Sequence, residues 1–290
     1  MIFKLENDLI SVTVAEVGAE LVGLKRKSDG TEFIWQGDER YWHGHAPIMF
    51  PICGRLTDNK YTYRGETYEM NLHGFVRKLP FALESRTGDS LTMRFDSSDE
   101  TRGIYPFDFT LWVTYTLSGA KLSLSARVKS RDGKPMPFAF GFHPGFNVPL
   151  GGGIFEDWFV EFPTACEPQR VVFDGCFFSD KTQPFALEDG RRMHLTHDLF
   201  DLDAVFLKGC PRSVTLRSEK SAHAVTVGYP DMQYVGFWHA DHTDAPYVCI
   251  EPWQSMPAYF GRVDDLETKR DMNILEAGAE YTTGIEIEVR

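Results

Sequence analysis

The sequence lacks several features that would assign it to common protein classes. No apolar run approaches the length of a membrane span, and Lys4, Glu6 and Asp8 interrupt the N-terminus, where a signal peptide would need an apolar core. Thirty Lys and Arg against 42 Asp and Glu give a net charge of −12, which repels nucleic acids and anionic membranes. We therefore predict a cytoplasmic protein without nucleic-acid or membrane partners.

Cysteine is too scarce and too scattered for a disulfide framework or a thiolate zinc site. The five cysteines are odd in number and form no CxxC pair; they are Cys53, Cys166, Cys176, Cys210 and Cys249. We predict that all five are buried free thiols.

Recognisable metal, nucleotide and serine-nucleophile motifs are also missing. The histidine pairs His43/His45, His194/His197 and His239/His242 have neither an HExxH pattern nor a cysteine partner, so we interpret them as surface or loop histidines and predict no metal site. The cluster Gly151-Gly152-Gly153 has no following Lys-Ser/Thr and is interpreted as a flexible loop. No GxSxG elbow occurs.

Short segments rich in β-branched and aromatic residues are what the sequence does contain. Strands are predicted near residues 9–14, 109–117, 122–128, 214–216, 224–229 and 285–289, separated by turn signals such as Ser118-Gly119. Residues 284–289 alternate apolar and charged side chains, which predicts an outer antiparallel strand. No helical period extends over a dozen positions, so helix should be confined to a turn or two near residues 255–262. The pattern favours an all-β chain forming a large antiparallel β-sandwich, with one domain over residues 1–290.

Four stretches place titratable residues in apolar or glycine-proline surroundings, where a charge needs a partner or a function. They are Phe50-Pro51-Ile52-Cys53-Gly54-Arg55-Leu56, Asn71-Leu72-His73-Gly74-Phe75-Val76-Arg77, Phe140-Gly141-Phe142-His143-Pro144-Gly145-Phe146-Asn147 and Val248-Cys249-Ile250-Glu251-Pro252-Trp253.

Glu251 is the most informative of these residues. It closes the apolar run that ends at Ile250, and Pro252 should end regular strand pairing there. A half-desolvated carboxylate at a strand end gains basicity, which suits a general base. The structural alternative is a carboxylate paired with a buried arginine.

The other candidates are also open to a functional and a structural interpretation. His143, set among phenylalanines beside Pro144, is a candidate proton donor or a core histidine, and the same choice applies to His73. Arg55 needs acceptors, which sugar hydroxyls or a structural carboxylate would supply. Trp253, with Trp42 and Trp238, offers faces for stacking on a sugar or for core packing.

Together the four stretches resemble the aldose 1-epimerase family, and within it the LacX-like branch, from Gly18-Ala19-Glu20-Leu21 to Glu251-Pro252-Trp253. The resemblance implies a galactose mutarotase-like supersandwich with an open sugar cleft. It also implies action on the anomeric carbon of a monosaccharide without a cofactor.

Residue by residue, the resemblance implies a role for each position. Glu251 matches the general base, His143 the general acid and His73 the second active-site histidine. Arg55 matches the substrate-binding arginine, although Gly54 precedes it where the better-known branch has Asn. Asp203 resembles the hydroxyl-binding aspartate, and Asp201 competes for that role.

These assignments predict an aldose 1-epimerase (mutarotase) that opens and closes the ring of a free hexose by acid/base catalysis. A hexose-6-phosphate 1-epimerase is the enzymatic alternative and would need a cationic pocket, to which Arg77 would contribute. A non-catalytic carbohydrate-binding or sugar-sensing protein is the alternative from another class. The sequence leaves the choice between monomer and homodimer open.

Overall fold

The computed structural model describes residues 1–290 and consists mainly of twenty-five β-strands. The first thirteen are β1 (Ile2–Glu6), β2 (Ile10–Ala15), β3 (Leu21–Arg26), β4 (Ile48–Met49), β5 (Lys60–Tyr63), β6 (Glu66–Glu69), β7 (Ala82–Arg86), β8 (Ser90–Asp96), β9 (Phe109–Ser118), β10 (Lys121–Ser130), β11 (Met136–Phe138), β12 (Gly141–Phe142) and β13 (Gly145–Asn147). The others are β14 (Trp158–Glu161), β15 (Gln169–Asp174), β16 (Phe177–Pro184), β17 (Arg192–His194), β18 (Val205–Lys208), β19 (Ser213–Ser218), β20 (Ala224–Gly228), β21 (Tyr234–Trp238), β22 (Tyr247–Trp253), β23 (Asp264–Asp265), β24 (Asn273–Leu275) and β25 (Glu280–Val289).

Helix is confined to short pieces. The single α-helix, α1, spans Asp99–Ile104 and begins at a capping box formed by Ser98 and Thr101. Short 3₁₀ turns occupy Thr57–Asn59, Val76–Lys78, Phe155–Asp157 and His197–Phe200. None of these helical segments combines the length and apolar character needed to cross a bilayer.

Two large sheets dominate the architecture. The nine-stranded sheet has the order β17-β14-β19-β20-β25-β10-β9-β8-β7. The second sheet has the order β16-β15-β18-β21-β22-β12-β4, with β13 also paired to β22. Neighbouring strands within both sheets are antiparallel, so the predicted all-β antiparallel class is confirmed.

A shared hydrophobic core joins the two sheets. One cluster of 66 buried residues includes Leu124 and Ile285 from the nine-stranded sheet and Val248 and Ile250 from the second sheet. Side chains alternate along β10 between buried and half-buried positions, as the two-residue period of a strand requires. The sheets therefore form the predicted sandwich, while a single domain over residues 1–290 stays a prediction.

Each of the six predicted strands coincides with an observed one, but three other expectations were wrong. Residues 284–289 belong to β25, which is an interior strand paired with both β20 and β10. Apolar alternation reveals which face of a strand is buried, whereas it does not reveal whether the strand lies at an edge.

The helix expected near residues 255–262 is absent, because the backbone there bonds to distant segments. The Ala258 N–H donates to the Arg55 carbonyl at 2.8 Å, and the Ala258 carbonyl accepts from the Phe178 N–H at 2.9 Å. The cysteines are free as expected, but only Cys53 and Cys249 are fully buried.

Gly74 provides a test of the close backbone approach beside His73. Its φ of +74° is left-handed, and an added Cβ would lie 2.0 Å from the Phe50 carbonyl oxygen. Gly30 has the same φ of +74°, but a Cβ added there would have no other atom within 4 Å. We expect Gly30→Ala to lower the free energy of unfolding by about 1–2 kcal/mol through φ strain alone. Gly74→Ala should cost clearly more in urea denaturation, and equal losses would disprove the backbone clash.

Candidate active site

A cavity of about 350 Å³ opens on the face of the second sheet that lies away from the shared core. Alternate residues of the central strands face it: Phe206 from β18, Trp238 from β21, and Glu251 and Trp253 from β22. Their sequence neighbours, such as Ile250, pack into the core instead. The volume lies within the range of small-molecule sites.

β22 continues through Pro252, so our expectation that Glu251 ends the strand was wrong. Glu251 pairs with Gly236 and Pro252 with Val235 in β21. On the opposite side, the N–H groups of Ile250 and Gln254 donate to the Pro144 and Phe140 carbonyls, each at 3.0 Å. Pro252 lies midway between these two residues, so its backbone nitrogen faces the same neighbouring strand, but proline has no N–H to donate. The hydrogen-bond ladder is therefore interrupted on that side only.

His143 occupies this interruption. The neighbouring strand is divided into β12 and β13, with His143 and Pro144 between them, opposite Glu251 and Ile250. The His143 N–H donates to the Pro47 carbonyl at 3.2 Å, which holds the backbone in place. His143 and Glu251 are opposite each other in this register, so their imidazole and carboxylate share the cavity face.

His143 Nε2 lies 3.3 Å from Glu251 Oε1, and both side chains are almost fully buried. Burial raises the pKa of Glu251 well above its ordinary value, and the nearby Asp203 charge adds to that rise. Burial lowers the pKa of His143 to about 3. Both shifts oppose charge, so the buried pair is expected to share one proton around neutral pH.

Aromatic rings keep water away from this pair. The Trp42 ring lies 5.0 Å from the His143 ring, and the Trp238 ring lies 5.8 Å from it at a steep angle. Gly44 and Gly145 give the Trp42 indole its space, since an added Cβ would lie 2.5 Å and 3.0 Å from ring atoms, respectively.

His73 presents a hydrogen-bond donor to the cavity. Its Nδ1 accepts from the Gly54 N–H at 3.1 Å, and its backbone N–H donates to the Gly54 carbonyl at 2.8 Å. In the neutral ring the proton therefore sits on Nε2. Burial, followed by the proximity of His143, holds the pKa of His73 well below its ordinary value, so the neutral form prevails.

Two arginines also line the cavity, and no salt bridge of the structure includes either guanidinium. Arg77 donates from Nη2 to the Leu72 carbonyl at 3.2 Å, while its buried Nε has no partner. The indole Nε1 of Trp253 and Nδ1 of His143 are likewise buried without partners. Arg55 therefore lacks the carboxylate partner that its structural alternative required, and its role in substrate binding stays a prediction.

The structure distinguishes the two aspartates that the sequence left in competition. Asp203 lines the cavity and is exposed, in a left-handed conformation with φ of +74°. Asp201 instead lies 3.2 Å from His242 Nδ1, outside the cavity. Every predicted site residue, namely Glu251, His143, His73, Arg55, Asp203, Trp253 and Arg77, faces the same cavity.

The histidine pairs behave differently from one another. His43, His194 and His242 are exposed, as interpreted from the sequence, whereas His239 is fully buried and its Nε2 lies 3.1 Å from Nδ1 of His197.

Three other residues, His143, Cys249 and Glu251, have side chains of the types that bind metal ions. One ligand atom from each lies within 4.8 Å of the others.

Sequence reasoning missed several cavity residues. Phe173 and Cys176 come from the β15–β16 hairpin and Phe206 from β18, and nothing in their local sequence distinguishes them from core residues. Cys249 does not line the cavity, but its position beside Glu251 could have been predicted, because residues two apart on a strand share a face.

Comparisons with known proteins identify the family of this chain. A sequence profile described as aldose 1-epimerase matches residues 1–288. The chain is 35% identical over 280 residues to the chromosomal protein LacX of Lactococcus lactis, covering 93% of each chain. A galactose mutarotase-like protein from Lactobacillus casei is 33% identical, with a TM-score of 0.93 over all of both chains. A galactose mutarotase related enzyme from Lactobacillus acidophilus is also 33% identical, with a TM-score of 0.94 over all of this chain and 97% of that one. The chain therefore belongs to the aldose 1-epimerase family.

Proposed function

We propose that this protein is a cofactor-independent mutarotase that interconverts the α and β anomers of a free hexose. Membership of the aldose 1-epimerase family supports a sugar epimerase as the general role. The observation that carries the specific proposal is the 3.3 Å contact between His143 Nε2 and Glu251 Oε1 at the wall of the cavity.

Opening a cyclic hemiacetal requires one proton to leave the anomeric hydroxyl and one to reach the ring oxygen. In the proposed reaction Glu251 accepts the O1 proton while His143 donates a proton to O5. The C1–C2 bond then rotates, and reversal of both transfers closes the ring on the other face. His73, with its proton on Nε2, donates a hydrogen bond to a sugar oxygen throughout.

The pair needs only the proton that it already shares. Burial favours the arrangement in which both groups are neutral and the proton is on Glu251. Transfer across the 3.3 Å contact gives a carboxylate and an imidazolium, the arrangement that begins ring opening. The polar atoms of the bound sugar stabilise these charges, and each complete turnover returns the same single proton.

Glu251→Gln tests the base, because glutamine keeps the size and polarity of glutamate but is not basic. We expect kcat for α-anomer equilibration, followed by polarimetry, to fall by about 10²–10⁴-fold while the sugar still binds. His143→Asn should behave similarly. Glu32→Gln is the matched control, since Glu32 accepts from the Leu24 and Ile34 N–H groups away from the cavity. Normal kcat in Glu251→Gln would sink the assignment, and a wild-type protein that accelerates no sugar would favour the sensing alternative.

Arg55→Ala tests the division between binding and proton transfer. The unpaired guanidinium would grip sugar hydroxyls equally in the ground and transition states, so its loss should raise KM with little change in kcat. Steady-state polarimetry over a range of sugar concentrations separates the two constants. A fall in kcat at unchanged KM would instead place Arg55 in the chemical step.

A hexose-6-phosphate is the second candidate substrate, and the cavity charges favour considering it. Arg55 and Arg77 both line the cavity without carboxylate partners, and burial favours the neutral form of Glu251, which leaves Asp203 as the other cavity carboxylate to offset them. The cavity therefore carries an excess of positive charge within a protein of net charge −12. A phosphate group would bind more favourably in this cavity than on the rest of the negatively charged protein.

Arg77→Leu separates the two substrate classes. If Arg77 binds a phosphate, kcat/KM for α-glucose 6-phosphate should fall about 10- to 100-fold, because a charge-assisted hydrogen bond contributes about 1.5–3 kcal/mol. The value for α-glucose should change little, and this free sugar serves as the internal control for folding. Equal losses for both sugars would contradict a phosphate-binding role for Arg77.

A further inference from the structure

The proposed acid-base pair has a third neighbour that the epimerase reaction does not use. Cys249 lies two residues before Glu251 on β22, so the two side chains extend from the same face of the strand. Cys249 is fully buried and packs in a small cluster that includes Trp35 and Tyr247. His143 approaches from the broken neighbouring strand. Two adjacent strands thus bring a thiol, an imidazole and a carboxylate together.

We propose that His143, Cys249 and Glu251 form an inhibitory binding site for zinc. One ligand atom from each residue lies within 4.8 Å of the others. A tetrahedral zinc ion, with bond lengths of about 2.0–2.3 Å, holds such atoms about 3.3–3.6 Å apart. The His143 Nε2–Glu251 Oε1 distance of 3.3 Å already matches this requirement, and the 4.8 Å limit means that the Cys249 sulfur needs to move closer by at most about 1.3 Å.

The charges of the three ligands also suit a buried divalent cation. A thiolate, a carboxylate and a neutral imidazole contribute two negative charges, which makes the complex with Zn²⁺ neutral. A neutral assembly avoids the large cost of leaving a charge unpaired away from water. Binding releases to solvent the thiol proton of Cys249 and the proton that His143 and Glu251 share. Imidazole and thiolate ligands favour zinc over magnesium or calcium.

The location of the site implies inhibition and reversibility. His143 and Glu251 line the cavity, so the fourth zinc position points to the space that a sugar would occupy. The inhibitory effect rests on the proposed function, because the metal and the proton transfers use the same two side chains. His143 Nδ1 has no hydrogen-bond partner to orient the ring, a support that strong zinc sites normally have. We therefore expect a chelator to remove the ion readily.

Metal binding to the full chain can be measured independently of activity. The EDTA-treated protein is titrated with Zn²⁺ against a chromophoric chelator, and with Co²⁺ to detect thiolate-to-cobalt absorption. We expect one zinc per chain, with affinity at least about 100-fold weaker in Cys249→Ser, because losing a ligand should exceed the 10–100-fold cost of losing second-shell support. Cys249→Ala provides a second variant with different packing, so that a folding defect in one does not decide the test.

Two control variants address adventitious binding. Cys166→Ser removes a thiol that lies near Cys210, and His194→Ala removes an exposed imidazole 2.7 Å from Glu188. Both should bind zinc as the wild type does. Zinc affinity in either Cys249 variant within about threefold of the wild type would overturn the proposal, as would loss of binding in a control.

The inhibition assay separates this proposal from the proposed function. In an active enzyme, Zn²⁺ should inhibit competitively with sugar, EDTA should restore the rate, and Cys249→Ser should shift the inhibitory concentration by the same factor as the affinity. An active enzyme that binds no zinc would reject the metal site alone. A chain without epimerase activity that binds zinc through Cys249 would reject the proposed function and retain the metal site.

Discussion

Removal of Glu251 and His143 from water is the constraint on which the rest of the site depends. Neither group would be unusual at the protein surface, where both would titrate near their ordinary pKa values. Burial disfavours the carboxylate and the imidazolium alike, so the charged form of either side chain needs the other side chain as a partner. Their 3.3 Å contact would allow them to do so by sharing a proton, which is the proton that the proposed ring opening would use.

The fold provides this dry position by sacrificing one backbone hydrogen bond. Pro252 is tolerated inside a central strand because the neighbouring strand is itself divided at His143 and Pro144. Regular pairing resumes on both sides, through Gly141 to Trp253 and Gly145 to Cys249. The register is the same on both sides of this defect, so His143 stands opposite Glu251 without an extra residue in either strand.

The accuracy of sequence reasoning differed according to whether a signal was local. Strand positions such as β10 follow from alternation within ten residues, and Glu251 and His143 stand out because their neighbours are apolar or proline. The interior position of β25 and the irregular path of residues 255–262 depend on hydrogen bonds to partners far away in sequence, which no local pattern encodes. Cavity residues such as Phe173 and Phe206 were missed for the same reason, since only the folded sheet brings them to Glu251.

The interior position of β25 has a consequence for folding during synthesis. β7 to β10 form one part of the nine-stranded sheet and β14, β17, β19 and β20 form the other, and β25 alone bridges them. Until residues 280–289 leave the ribosome, β10 and β20 each have an open edge of unpaired N–H and C=O groups beside buried apolar side chains. The strands within each part can pair early, but the two parts join only when β25 has emerged. Nascent chains that stop before that point expose two unpaired strand edges, a feature that promotes aggregation.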